Sequence, residues 1–310
     1  MFRLENFDPV PESLQGGFLA VGNFDGVHRG HAGLIGRLRR LADEAGAPAI
    51  ALSFDPPPLQ VLRPGRAAVP LTTIEQKVAL LHDAGAHHVG LFQTGQWLLG
   101  LTAREFFDRV VRGQFAARGM VEGPTFGFGR DRGGDSQALE AWCSEAGLRF
   151  EVAHPANFDG QIVSSTRIRN ALKDGRASEA ALLLGRPYRL TGRVRHGAGR
   201  GAGLGFPTAN LQEIVTLVPA HGVYAARAIL ESGERRLSAL HIGPNATFGV
   251  ESPSVEAHLL DFQGDLYGQT LHLDLLEFVR PTRKFDGIND LLEQIRLDVE
   301  RTREIGKTAL

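Results

Sequence analysis

The sequence is poor in cysteine, in net charge and in long apolar runs. Its one cysteine, Cys143, excludes an intrachain disulfide framework and a cysteine-based zinc site, and fits a packing role in a reducing compartment. A formal net charge of -1 and a pI near 6.8 provide no basic field that would attract nucleic acid or an anionic membrane. No segment approaches the ~20 consecutive apolar residues of a membrane span, and residues 1–12 lack the basic and apolar regions of a secretion signal. We therefore expect a soluble, cytoplasmic protein with small-molecule partners.

The first part of the chain alternates short apolar runs with helical periods, and its 310 residues allow two buried cores. Capping boxes are predicted at Thr72 with Glu75 and at Thr102 with Glu105. The alternation predicts an α/β domain over residues 1–186, with a mostly parallel, Rossmann-like sheet covered by helices. The predicted strands are 17–21, 49–54, 89–92 and 149–153, and the predicted helices are 30–45, 72–84, 102–117 and 134–146.

Beyond residues 185–187 the pattern changes to short β-rich runs with turn signals. Regularly spaced runs of this kind predict a small β-barrel over residues 187–310. Residues 288–303 predict a closing helix whose apolar side carries Leu291, Leu292, Ile295 and Val299. The predicted barrel strands are 190–195, 222–230, 237–242, 255–260 and 271–278.

The segment GNFDGVHRGH, residues 22–31, joins the first predicted strand to the first predicted helix. Its glycines let the backbone approach a phosphate closely, and the free amides and positive dipole end of the helix favour an anion. His28 and His31 fall on one face of that helix, and their imidazoles can donate to a transferring phosphoryl group. An adenylyl transfer fits this arrangement. The alternatives are a helix-capping or core pair, and two ligands of a metal site.

The same segment resembles the HxGH signature of the nucleotidyltransferase superfamily, and VSSTRIR at residues 163–169 resembles its (I/V)SSTxxR signature. The resemblance implies that His28 and His31 are catalytic and that Arg169 is a cation for the triphosphate or pyrophosphate. The alternatives are a serine or threonine that only caps a helix, and a solvated surface arginine. The implied ATP-binding residues of this domain are Gly22, Phe24, Asp25, Gly26, His28, Gly30, His31, Ser164, Ser165, Thr166 and Arg169.

A second glycine-dense segment spans residues 197–210 and ends in PTAN. It is neither a Walker A loop nor a Rossmann fingerprint, because no Lys-Ser/Thr closes it and no βαβ pattern surrounds it. A flexible loop is therefore one interpretation. On an extended segment, however, the side chains of Thr208 and Asn210 point the same way, and their oxygens suit Mg²⁺.

This segment resembles the GxGxxLGFPTAN loop of riboflavin kinases, and GVYA at 222–225, VEAHLLDF at 255–262, GDLYG at 264–268 and RPTRKF at 280–285 continue the resemblance. Together the two halves resemble the prokaryotic bifunctional riboflavin kinase/FMN adenylyltransferase family, the FAD synthetases. The resemblance implies that the second domain phosphorylates riboflavin to FMN. The first domain would then transfer AMP from ATP to FMN, giving FAD and pyrophosphate, and ATP and Mg²⁺ are the implied cofactors.

The resemblance also implies roles for residues of the second domain. Glu256 is the base that accepts the ribityl hydroxyl proton, and the alternative is an outward-facing strand residue. Tyr267, Arg280 and Phe285 are flavin-binding candidates, and the alternative is that they pack the barrel and its closing helix. Thr208 and Asn210 hold Mg²⁺-ATP. The implied ATP loop comprises Gly199, Gly201, Gly203, Gly205, Pro207, Thr208 and Asn210.

Three positions depart from the pattern of the family. Pro57 stands where a histidine between prolines is common, and its nitrogen cannot donate a hydrogen bond. Thr125 occupies a carboxylate or amide position, and Ala246 a position where proline is frequent. Two alternatives follow: a monofunctional riboflavin kinase with an impaired adenylyltransferase domain, and a non-enzymatic flavin- or nucleotide-binding regulator.

Overall fold

The structure, a computed structural model, describes residues 1–8, 10–197, 200–245 and 250–308. Gly199 and Ala246, which the sequence singles out, lie outside the described residues. The chain divides into two compact units. The first comprises Met1–Ala68 and Thr72–Val163, and the second comprises Val69–Leu71 and Ser164–Leu310.

The first unit is built on a six-stranded parallel sheet. Its strands, with two short hairpins, are β1 (Phe2–Leu4), β2 (Phe18–Val21), β3 (Ala49–Asp55), β4 (His88–Gln93), β5 (Gly119–Glu122), β6 (Gly127–Phe128), β7 (Gly134–Asp135), β8 (Arg149–Val152), β9 (Asn157–Phe158) and β10 (Gln161–Ile162). The sheet order is β1-β4-β3-β2-β5-β8, and each pairing is parallel. The predicted Rossmann-like parallel sheet is confirmed. The hairpins pair β6 with β7 and β9 with β10.

Helices cover both faces of this sheet, because its strands are apolar on both sides. Leu19 and Leu52 belong to one core cluster, and Ala20 and Ala51 to the other. Helix residues Leu34, Leu38 and Leu41 pack into the second cluster, as their spacing predicts. The helices are α1 (Arg29–Glu44), α2 (Pro58–Leu62), α3 (Ile74–Asp83), α4 (Gln96–Leu99), α5 (Ala103–Phe106) and α6 (Ser136–Glu145), with a π-helical segment at Phe107–Gln114 and 3₁₀ turns at Glu12–Leu14, Pro64–Arg66 and Arg130–Arg132.

Most predicted elements of this unit are present, with three corrections. The capping box of α3 is formed by Thr73 and Gln76, so the predicted pair Thr72 and Glu75 is wrong by one residue. The predicted box of Thr102 with Glu105 is confirmed, but the helix it starts becomes π-helical and ends at Gln114 rather than at residue 117. Strands β1 and β5, of three and four residues, are not among the predicted strands.

The second unit is built on a closed antiparallel barrel, which confirms the predicted fold of this part. Its elements are α7 (Ser165–Lys173), α8 (Ala177–Leu184), β11 (Tyr188–Arg195), α9 (Arg200–Gly203), β12 (Ala209–Gln212), β13 (Gly222–Ile229), β14 (Arg235–Asn245), β15 (Val250–Leu259), β16 (Thr270–Arg280) and α10 (Ile288–Thr308). The strands close in the order β11-β12-β15-β14-β13-β16. Helices α7 and α8, which the sequence places in the first domain, belong to this unit, and α8 packs on β11 and β16. The boundary between residues 186 and 187 stays a prediction.

The closing helix α10 packs on β13, β14 and β16. The predicted apolar residues from Leu291 to Val299 are half-buried, whereas Asp298, Thr302 and Ile305 are buried. The helix also continues to Thr308, five residues beyond its predicted end. Gly306 explains why: a Cβ there would collide with Leu237, so the glycine lets this last turn approach the barrel.

Candidate active sites

The turn that follows β2 has a strained backbone. Phe24, Gly26 and Val27 have φ angles of 45°, 80° and 36°. This left-handed region suits glycine, and it costs about 1–3 kcal/mol for each residue of another type. The amide of Gly22 donates to the carbonyl of Leu52 at 3.0 Å, and the amide of Val27 donates to Phe24 at 3.1 Å. The end of β2 is thereby turned sharply into α1, as the sequence predicts.

His28 caps the N-terminus of α1. Its Nδ1 accepts a hydrogen bond from the backbone amide of His31 at 3.3 Å. Because Nδ1 accepts, the proton of the neutral ring lies on Nε2. A Cβ on Gly30 would lie 3.1 Å from the His28 ring, so the glycine of the motif leaves room for this arrangement. The capping interpretation therefore accounts for Nδ1 of His28 and makes Nε2 the hydrogen-bond donor.

His31 stacks on His28, with ring centroids 3.6 Å apart and planes 16° from parallel. Burial lowers the pKa of His31 well below its ordinary value of 6.5, and the nearby His28 and Lys77 add to this effect. The ring is therefore neutral near pH 7. Within the described residues, its buried Nδ1 has no hydrogen-bond partner. A buried polar atom without a partner is uncommon and calls for one, which a bound substrate can supply.

Lys77 lies on α3 with 3% of its surface exposed. Its ammonium donates to the hydroxyl of Ser53 at 3.4 Å, and that hydroxyl lies 3.2 Å from the carbonyl oxygen of Asn23. Burial lowers the pKa of Lys77 from 10.5, and the carboxylates of Asp25 and Asp55 oppose this shift. Lys77 is not among the residues predicted from the sequence. Its helical spacing with apolar residues of α3 is the pattern that could have revealed a buried lysine.

A second buried charged residue, Glu122, is the last residue of β5. It is also not among the residues predicted to be functional. Its Oε1 accepts a hydrogen bond from the amide of Val21, the last residue of β2, at 2.7 Å. Burial raises the pKa of Glu122 well above 4.5, and the hydrogen bond from Val21 opposes this shift. The carboxyl group therefore links the ends of β2 and β5 directly before the strained turn.

The two departures from the family pattern in this unit also follow strand ends. Pro57 precedes α2, two residues after the end of β3, and Thr125 is exposed, three residues after the end of β5. The turn at Gly22 follows β2, which lies between these strands. The carboxyl ends of adjacent parallel strands are where open α/β sheets bind ligands.

The SSTxxR segment begins α7 in the second unit. Ser164 is its N-cap, since its hydroxyl accepts from the amide of Arg167 at 3.2 Å. Ser165 and Thr166 form the first turn of the helix. Arg169 is half-buried, and its Nε donates to the carbonyl of Val69 at 3.1 Å. Arg169 is therefore held in place on the backbone, unlike a fully solvated arginine.

The glycine-dense loop of the second unit is a compact turn where the structure describes it. The carbonyl of Gly201 accepts from the amide of Phe206 at 2.8 Å and from that of Leu204 at 3.1 Å. A Cβ on Gly201 would collide with the Phe206 carbonyl, and Gly205 has a φ of 84°. Gly203 lies in α9 with open space around it. His258 Nδ1 lies 2.8 Å from the carbonyl oxygen of Pro207, which fixes the end of the loop.

Three predicted kinase residues come together at this end. Asn210 and Glu256 are directly paired across β12 and β15. The hydroxyl of Thr208 lies 3.5 Å from Oε2 of Glu256, and Ser254 donates to Oε1 at 2.8 Å. Ala209 between them is buried, so Thr208 and Asn210 share the opposite face. Their hydroxyl, amide and carboxylate oxygens are donors that suit Mg²⁺.

The strand register places further residues beside the pair of Asn210 and Glu256, on the next strands of the barrel. His241 is paired with Glu256 and with Val223, and Val223 with Arg280. Directly paired residues share a face of the sheet, so His241 stands next to the proposed base. Burial lowers the pKa of His241 from 6.5, against the effect of Glu256. His241 is not among the residues predicted from the sequence, because cross-strand pairing is not visible there.

Of the flavin-binding candidates, Tyr267 precedes β16, whereas Arg280 is the last residue of that strand and lies near Phe285. Tyr267 is 51% exposed and stacks on His196, with centroids 3.8 Å apart. Arg280 donates from Nη2 to Asp298 at 2.6 Å and from Nε at 2.8 Å, in a pair that joins β16 to α10. Phe285 is buried, with the Arg280 guanidinium 5.8 Å from its ring centroid. Arg280 and Phe285 thus make the packing contacts of the alternative interpretation, and this leaves their flavin role a prediction.

Comparison with known proteins agrees with the division of the chain into two units. A family model for FAD synthetase matches residues 10–167, and one for riboflavin kinase matches residues 184–306. The bifunctional riboflavin kinase/FMN adenylyltransferase of Pseudomonas fluorescens is 36% identical over 92% of this chain and 91% of its own. The protein of that name from Escherichia coli K12 is 33% identical over 97% and 96%, and that from Bacillus subtilis 168 is 32% identical over 93% and 92%.

A crystal structure described as a macrolide-efflux protein from Streptococcus pneumoniae has the same fold. It is 29% identical, with a TM-score of 0.88, and the match covers 97% of this chain and 98% of that one. Of the helices that the structure describes here, none combines the length and apolar character that a membrane crossing requires. Since two family models match in order and curated relatives are 32% to 36% identical over more than nine tenths of its length, the chain belongs to the bifunctional riboflavin kinase/FMN adenylyltransferase family.

Proposed function

We propose that this protein makes FAD from riboflavin in two consecutive reactions, with ATP as the donor in both and Mg²⁺ as the metal. The protein is a riboflavin kinase and an FMN adenylyltransferase, so riboflavin, FMN and FAD are its substrates and products. The single cysteine further supports a reducing location, the cytoplasm. The observation that carries the assignment of residues is the convergence of Thr208, Asn210 and Glu256 at one end of the barrel.

In the kinase reaction, Glu256 accepts the proton of the terminal ribityl hydroxyl of riboflavin. The hydroxyl oxygen forms a bond to the γ-phosphorus of ATP, and the bond to the β-phosphate oxygen breaks, giving FMN and ADP. The hydrogen bond from Ser254 holds the carboxylate in one orientation, which keeps the base in place for this transfer. Thr208 and Asn210 would hold Mg²⁺, which neutralises charge on the phosphates when it is bound.

In the adenylyl transfer, a phosphate oxygen of FMN forms a bond to the α-phosphorus of ATP, and pyrophosphate leaves. His28 donates from Nε2 and His31 from its neutral ring, and both stabilise charge that develops on the phosphate oxygens. The amides of the strained turn and the start of α1 favour the same anion. Gly22, Phe24, Asp25, Gly26 and Gly30 shape this turn. Ser164, Ser165, Thr166 and Arg169 are the proposed ATP contacts of the SSTxxR segment.

Phosphorus labelling tests the two reactions separately. With γ-labelled ATP and riboflavin, we expect label in FMN and in FAD. With α-labelled ATP, we expect label in FAD alone. Label from α-labelled ATP in FMN, or the absence of label from FMN with γ-labelled ATP, would contradict the proposed pair of reactions.

A further inference from the structure

Lys77 occupies a position that a fold without a bound anion would not favour. Its side chain is on the inner side of α3, with 3% of its surface exposed. Lysine is almost never fully buried unless its charge is paired, because desolvating the ammonium is costly. A buried lysine therefore needs a reason in either stability or function.

The surrounding protein satisfies this ammonium poorly. An ammonium has three donor protons, and within the described residues its only hydrogen-bond partner is the Ser53 hydroxyl, at the long distance of 3.4 Å. Asp25 and Asp55 are near enough to affect its pKa, but no carboxylate of a described residue is within ion-pairing distance of it. Asp55 instead pairs with Arg3 at 2.8 Å. The ammonium of Lys77 therefore has protons that no acceptor of the described residues takes up.

The same region holds the unpartnered Nδ1 of His31. Lys77 is close enough to His31 to lower its pKa. Since His31 is neutral near pH 7, it can donate or accept a hydrogen bond but brings no positive charge. A phosphate at this turn needs a cation to offset its charge, and Lys77 is a cation beside it.

We propose that Lys77 binds a phosphate group of the adenylyl-transfer reactants, beside His31, and is a further catalytic residue of that reaction. The inference rests on the proposed FMN adenylyltransferase function. The phosphate belongs either to ATP or to FMN, and both present the same chemistry, an anionic oxygen that takes the unused protons of the ammonium. Charge on that oxygen changes as the α-phosphorus passes from pyrophosphate to FMN, so Lys77 acts on the reacting group.

The test uses the full-length protein with Lys77→Met, whose unbranched side chain is one atom shorter and carries no charge. We expect FAD formation from FMN to fall at least about 100-fold, the effect of removing one preorganised donor. FMN formation from riboflavin should stay within about twofold, because the kinase residues lie in the second unit, which does not contain Lys77. The melting temperature should stay equal or rise, because a poorly paired buried cation is replaced by an apolar side chain.

Two further variants complete the design. Lys77→Arg keeps a cation and should retain more FAD formation than Lys77→Met. Lys307→Met removes an exposed lysine of α10 and should leave both activities and the melting temperature unchanged. A raised KM for ATP in Lys77→Arg identifies ATP as the bound reactant, whereas a raised KM for FMN identifies FMN.

Several results would overturn the inference. FAD formation by Lys77→Met within about threefold of the parent protein would remove the assigned role. A lowered melting temperature of Lys77→Met, or a failure of this variant to fold, would show that Lys77 is structural. If the parent protein itself makes no FAD, the proposed function fails instead, and the two failures are thereby distinguished.

Discussion

Replacing Glu256 by glutamine is expected to remove the kinase base and keep its surroundings intact. The new Oε1 can still accept from Ser254, whose hydroxyl lies 2.8 Å from Oε1 of Glu256. The new amide can donate to the Thr208 hydroxyl, 3.5 Å from Oε2. The side chain keeps its size, so the pairing of β12 with β15 is unaffected. The change therefore isolates the loss of proton acceptance.

The expected loss of kcat for FMN formation is about 10²- to 10⁴-fold, the usual contribution of a positioned general base. This corresponds to about 2.7–5.4 kcal/mol, since each tenfold change is about 1.36 kcal/mol. The KM for ATP should change less than about threefold, because Thr208 and Asn210 are retained. A loss that appears mainly in KM would point to a binding role.

The assay is the steady-state conversion of riboflavin to FMN, with the flavins separated chromatographically. Adenylylation of added FMN by the same preparation is the internal control and should be unchanged. Glu277→Gln, at an exposed ion pair of β16 with Arg301, is the matched control variant for the charge change. Kinase activity of Glu256→Gln within about threefold of the parent protein would refute the assigned base.

Three other substitutions test the remaining structural claims. His28→Ala should reduce FAD formation from FMN about 10²- to 10³-fold in a steady-state assay while sparing FMN formation, and the lost N-cap should cost about 1 kcal/mol of stability. Asp298→Ala should lower the free energy of unfolding, measured with urea, by about 3 kcal/mol, because it leaves the Arg280 guanidinium, 18% exposed, without its partner. Glu122→Gln should change the pH dependence of unfolding. The folded-state pKa of Glu122 is raised, so the parent protein loses stability as pH rises above the ordinary value of 4.5, whereas the variant lacks this loss. The stability difference in favour of the variant should therefore be larger at about pH 8 than at about pH 5, and an unchanged difference would contradict the protonated state of Glu122.

The periodic part of the fold is predictable because buried positions of a helix are occupied by apolar residues at regular spacing. Leu34, Leu38 and Leu41 repeat at helical spacing and do face the core. The capping box of α3 is not decided in this way, because Thr72 with Glu75 and Thr73 with Gln76 both have the required spacing. A tertiary contact distinguishes the two pairs, because Thr72 is engaged elsewhere. Its hydroxyl oxygen lies 3.4 Å from the amide of Gly26, in the strained turn.

The candidate sites are predictable where a motif is contiguous, as in residues 22–31 and 199–210. The cross-strand partners of Glu256 are not predictable, since they depend on the register in which neighbouring strands pair. Lys77 and Glu122 are not predicted from the sequence, for a different reason. A charged residue normally marks a solvent-facing position, whereas the folded chain shows that these two are buried.

The central claim is that one chain carries out both steps from riboflavin to FAD. The most direct measurement is a time course of purified protein with riboflavin, ATP and Mg²⁺, in which the flavins are separated chromatographically and pyrophosphate is counted. We expect FMN to appear first and FAD to follow, with one pyrophosphate released for each FAD. No FMN would contradict the kinase assignment, and FMN that accumulates without FAD would contradict the adenylyltransferase assignment.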